Sequence, residues 1–199
     1  NSFIRKQSRS SYVAISNNDP FKFFDQPDNS INYWDSNALM QQLQLHHRNN
    51  LPNFSKWIKY SKNKSQLLFV IIAVGNFQQT SSASALIELL NTDDHDIRKE
   101  TIIALGQMRI AEAEKSLMEI FSDQPADCQD AIIVAVLFIN TGNALPFLKN
   151  VYQHASSYDS KKLVAEVIFK YSDEGKRYIQ QLNQNEVGFN KLILEHIKN

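Results

Sequence analysis

Cysteine, glycine and proline are all scarce in this 199-residue chain. The single Cys128 excludes an intrachain disulfide framework and any zinc or iron–sulfur site built from several cysteines. Five Gly and five Pro together make up about 5% of the residues, against roughly 12% in average usage. An all-β protein with many tight turns needs more of both. Charge of either sign is not in excess. Twenty-one Lys+Arg face 21 Asp+Glu, which argues against a strongly cationic nucleic-acid binder and a highly charged disordered chain. No run reaches the roughly 18 apolar residues of a transmembrane helix. The longest, Leu67 to Gly75 and Ala131 to Ile139, have the length of core helices. With 43% apolar and 21% charged residues, the composition is that of a globular, helix-rich domain.

The sequence starts at Asn1 rather than Met, so a processed chain with a missing upstream segment is expected. Arg5, Lys6 and Arg9 would suit the cytoplasmic side of a membrane anchor in that segment, although an ordinary basic tail is the commoner origin of such a cluster. Residues 1–33 lack helical periodicity and read as an irregular arm, with residues 34–199 as the helical domain. The arm carries Asn18-Asp-Pro-Phe-Lys-Phe-Phe-Asp25, and solvated linkers seldom hold three Phe in four residues, so it is expected to dock on the body. Asp35 or Ser36 can cap a first helix containing Leu39, Met40 and Leu43, and Asn53 a second containing Phe54, Trp57 and Ile58.

An internal repeat decides the fold class. Val74, Leu105, Val136 and Val167 lie 31 residues apart, and so do Ile72, Ile103, Val134 and Ala165. Ile71, Ile102, Ile133 and Val164 keep the same step, as do Ala73, Ala104 and Ala135. Two further registers run through Leu86, Leu117, Leu148 and Ile179, and through Leu89, Ile120, Val151 and Leu182. Each unit holds two helical segments, for example Ser82 to Asn91 and Asp96 to Met108, joined by a short polar turn that makes neighbours antiparallel. A helix pair of this size cannot bury its apolar face alone, so stacked pairs must share a core: an all-α solenoid. The first unit is expected near Leu51, with its second helix at Ser65 to Phe77. The last pair is expected at Asp173 to Gln184 and Glu186 to Lys198.

The segment Asp96-Ile-Arg-Lys-Glu-Thr-Ile-Ile-Ala-Leu-Gly106 resembles the second helix of a HEAT repeat. In that resemblance Asp96 matches the capping aspartate, Arg98 the inter-repeat arginine, and Ala104-Leu105-Gly106 a close packing step. Thr101 stands where the family usually has Ala. The likeness covers about residues 65–172, and the 31-residue unit is similar to the compact bacterial versions. It implies a scaffold more often than an enzyme.

In a solenoid of this type the second helices line the concave face. Gln66 to Phe77 and Asp130 to Ile139 are apolar nearly all round, which signals burial on more than one side. The positions Ile102 and Ile103, with their repeat mates Ile71, Ile72, Ile133 and Val134, are expected partly off the core side. Either the arm, through residues such as Tyr12, Val13, Ile15, Phe21, Phe23 and Phe24, or a partner peptide must then cover the stripe. The candidate partner-binding residues are Ile72, Ile103 and Val134, with Lys56 and Lys59 as a second patch beside Trp57 and Tyr60.

Other chemistries find little support in the residues. The adjacent His46 and His47 point about 100° apart on a helix and cannot chelate one ion together. His95, among Asp93, Asp94 and Asp96, sits where carboxylates more simply cap a helix. Cys128 has no activating His or Lys close to it in sequence, so a plain core or boundary cysteine is expected. Glycine-rich phosphate loops and serine-hydrolase elbows are lacking. Residues 67–199 carry twelve Lys+Arg against seventeen Asp+Glu, the wrong sign for a phosphate-binding groove. The expectation is therefore a non-enzymatic protein-binding module without cofactor, metal or nucleic acid, and with a membrane only through an upstream anchor. A HEAT-like enzyme or enzyme subunit, resembling a DNA glycosylase or a chromophore lyase, and a structural spacer whose groove is filled by its own arm are the alternatives.

Overall fold

The computed structural model describes residues 22–25, 28, 30–46 and 51–185. Among them every regular element is helical: α1 (Tyr33–His46), α2 (Ser55–Tyr60), α3 (Lys64–Asn76), α4 (Ala83–Leu89), α5 (His95–Gln107), α6 (Glu114–Ile120), α7 (Ala126–Ile139), α8 (Leu145–His154), α9 (Tyr158–Tyr171) and α10 (Asp173–Asn185). Short 3-10 turns occupy Lys22–Asp25, Thr80–Ser82, Ala111–Ala113 and Phe121–Asp123. This is an all-α fold of the solenoid class, with its helices in pairs. The second half of the terminal pair expected at Glu186 to Lys198 lies outside the described residues. α1 begins at Tyr33, so Asp35 and Ser36 fall inside its first turn rather than capping it.

The backbone repeats as faithfully as the side chains. α3, α5 and α7 start at Lys64, His95 and Ala126, and α4, α6 and α8 at Ala83, Glu114 and Leu145, each 31 residues after the last. The buried residues just before the latter three, Ser82, Ala113 and Ala144, are small and share one helical backbone conformation. Gln78, Arg109 and Asn140, again 31 residues apart, have positive φ of 55°, 55° and 45°. These left-handed residues end α3, α5 and α7. At the first two ends the following amide reaches back to satisfy a late helix carbonyl, Gln79 N–H to Val74 O at 3.0 Å and Ile110 N–H to Leu105 O at 3.1 Å. Glycine is the usual residue there, and Gln, Arg and Asn hold the conformation in its place.

The chain forms two compact units, residues 1–104 and 105–199, the boundary falling inside α5. In the first unit α2 packs on α3 and α4. An aromatic cluster fills its core. Phe24 stacks on Phe69 with ring centroids 5.4 Å apart and lies 5.0 Å from Trp57 and 6.2 Å from Phe54. Phe24, Phe54, Trp57 and Phe69 are all buried. Ile31 N–H donates to Ser65 Oγ at 2.9 Å, fixing the chain just before α1 onto the start of α3. The other aromatic and aliphatic arm residues singled out above, Tyr12, Val13, Ile15 and Phe21, lie outside the described residues.

In the second unit α9 packs on α7, α8 and α10, and α6 packs on α7. Gly106 permits the closest approach: a Cβ there would lie 2.7 Å from Ala135 Cα, a backbone atom that cannot swing aside. Gly75 and Gly106 share a repeat position, and at Gly106 this contact is the physical reason for glycine. Tyr171 stands one repeat after Asn140 and replaces the left-handed residue. Its carbonyl accepts from Asn140 Nδ2 at 3.3 Å and its phenol oxygen accepts from Ala144 N–H at 2.9 Å. Burial holds the phenol above its ordinary pKa. Glu114, buried at the start of α6, receives a hydrogen bond from the Thr141 hydroxyl.

Two substitutions test this account. Phe24→Ala removes a fully buried ring, and urea unfolding should show a loss of about 3–5 kcal/mol. Arg109→Gly relieves a left-handed non-glycine residue, and the same measurement should show a gain of about 0.5–1 kcal/mol.

Candidate functional site

The residues proposed for partner contact are placed one by one. On α3, Ile72 is 37% exposed although Val70, Ile71, Ala73 and Val74 around it are buried. Ile103 on α5 is half-buried, and Val134 on α7 is half-buried with Phe138, one turn later, 48% exposed. Residues at i and i+4 share a helix face, so Val134 and Phe138 form a short apolar stripe in the second unit. The neighbouring register behaves otherwise. Ile71, Ile102 and Ile133 were expected partly off the core and are instead essentially fully buried, as is Val164. Of these two registers the Ile72 one reaches the surface, although in α9 its member Ala165 is buried too.

The lysine patch on α2 and α3 is paired with carboxylates. Lys56 lies 4.3 Å above the Trp57 ring and 3.8 Å from Asp25, and Lys59 is 3.6 Å from Glu88. Lys64 contacts both Asp94 at 2.9 Å and Asp96 at 2.7 Å. The capping assignment shifts here. Asp94, not Asp96, caps α5: its Oδ1 accepts from Asp96 N–H at 3.0 Å and Ile97 N–H at 3.1 Å. One repeat earlier Asn63 does the same for α3, accepting from Ser65 N–H at 3.0 Å. Asp96 sits in the first turn and holds Lys64. Hydrogen bonds from Lys64 depress both carboxyl pKa values, and the two carboxylates raise that of the ammonium.

Arg98 Nη1 donates to Thr92 O at 2.6 Å, closing the turn that ends the preceding helix. Gln129, one repeat later, donates to Phe121 O at 3.1 Å in the same way. Thr101, the departure from the family's usual Ala, is buried with its hydroxyl donating to Ile97 O at 2.7 Å, so it leaves no unsatisfied donor. Cys128 is buried in the first turn of α7. His95 Nδ1 lies 3.4 Å from Asp96 Oδ1.

The second unit also holds a cleft of about 490 Å³, which sequence reasoning missed. It opens between α6 and α7 on one side and α8 and the start of α9 on the other. Phe121, Ile133, Phe147 and Val151 supply apolar walls, with the two phenyl rings edge to face at 5.2 Å. Gln129, Asp130, Asn150 and His154 supply polar groups, and neither Lys nor Arg lines it. Leu90 and Tyr152 stand one repeat either side of Phe121 and Tyr178 one repeat after Phe147, so the periodicity gave no sign that these two rings wall a cleft. The available signal was the stretch from Ser116 to Leu148, which lacks Lys and Arg altogether.

Residues 51–137 match the family model for HEAT repeats. This span carries HEAT repeats. The match spans α2 to α7, including both left-handed ends that close α3 and α5. A solved structure of the complex of CpcE and CpcF of phycocyanin lyase from Nostoc sp. PCC7120 is similar at 14% identity and a TM-score of 0.49, over 92% of this chain and 73% of that one. None of the curated proteins matches. No helix among the described residues is long and apolar enough to cross a membrane.

Within the HEAT repeats, the Lys64 pair predicts a defined pH response. The folded carboxyl pKa values lie below the ordinary Asp value of 3.8, so their contribution is complete above that value and is lost as pH falls through the folded pKa. The raised Lys64 pKa gives a contribution complete below 10.5 and lost as pH rises beyond it. The stability difference between wild type and Lys64→Met should therefore be flat from about pH 5 to 9 and shrink towards both extremes. Because the groups are exposed, it should also shrink in 1 M salt. Urea midpoints across pH provide the measurement.

Proposed function

We propose that this protein is a non-enzymatic, protein-binding HEAT-repeat module. Its contact residues are Ile72 and Ile103 in the first unit and Val134 in the second, with Lys56 and Lys59 as a second patch. One observation carries the reading: large apolar side chains stay at the surface on helices that bury most of their apolar residues, with Ile72 37% and Phe138 48% exposed. Repeat helices have a structural reason to bury apolar residues but none to expose them at recurring positions. The two lysines fit the same role. Each already holds a carboxylate, Asp25 or Glu88, at a surface distance, and a partner's acidic side chain can replace it at little cost. HEAT repeats are a helical scaffold that serves protein recognition in many settings.

The test is affinity capture with the immobilised full chain from a lysate of its source, compared with Val134→Glu and Ile72→Glu, each checked for unchanged helicity and melting temperature. A specific protein retained by wild type and reduced at least about tenfold by either substitution is expected, as for loss of a buried interface anchor. Retention of the same proteins at the same level by all three chains, or of none above the bare matrix, would sink the reading.

A further inference from the structure

We draw no further inference here: the strongest candidate, the cleft of the second unit between α6, α7, α8 and the start of α9, is lined by donors as well as acceptors and so selects no single class of guest.

Discussion

The way each second helix ends is the constraint on which the rest depends. A helix can be followed by another at a fixed angle only if its last carbonyls find donors and the chain turns in a reproducible direction. Gln78, Arg109 and Asn140 supply that turn through one left-handed residue each, spaced by a single repeat. Once the turn is set, the short 3-10 segments Thr80–Ser82 and Ala111–Ala113 and the small buried residues Ser82, Ala113 and Ala144 follow at equal intervals. Packing then acts on helices already aimed. The near contact of Gly106 with Ala135 exists because these ends bring backbone close to backbone.

Much of this was legible in the residues. The 31-residue step, the helix pairs and their boundaries follow from apolar periodicity, since burial on one face imposes a helical period on any sequence. Three things were not legible, each for a physical reason. The left-handed ends are occupied by Gln, Arg and Asn, of which Asn alone favours that conformation, so the recurring turn carries no recurring residue type. The cap of α5 moved from Asp96 to Asp94 because several carboxylates stand within one turn, and only geometry tells which accepts the helix amides. The register of Ile102 was misjudged because adjacent apolar residues on a helix differ by about 100° in direction, so both cannot face the same neighbour.

The candidate site divides in the same way. Ile72 and Val134 could be named from sequence because their departure from polarity repeats with the fold. The cleft could not, because what sets it apart is a polar change, Asp130 standing where the neighbouring repeats have Lys99 and Lys161, and apolar periodicity does not report it. In a repeat protein, the regular positions build the frame and the irregular ones give one place in it a chemistry of its own. The carboxylate and acceptors of this cleft sit on that irregular ground, whereas the lysines of α2 and α3 are already held by carboxylates of neighbouring elements.

Tyr171 joins two adjacent helices at both ends of one side chain and its own carbonyl. Elsewhere in the array a helix can fray by loosening its last turn. Here the phenol holds the first amides of α8 while the carbonyl holds the residue that closes α7. Loosening the last turn of α9 therefore removes partners from both of its predecessors at once. The ends of α9 and α7 and the start of α8 are thereby coupled, so a loss of hydrogen-exchange protection at one of them is expected at all three.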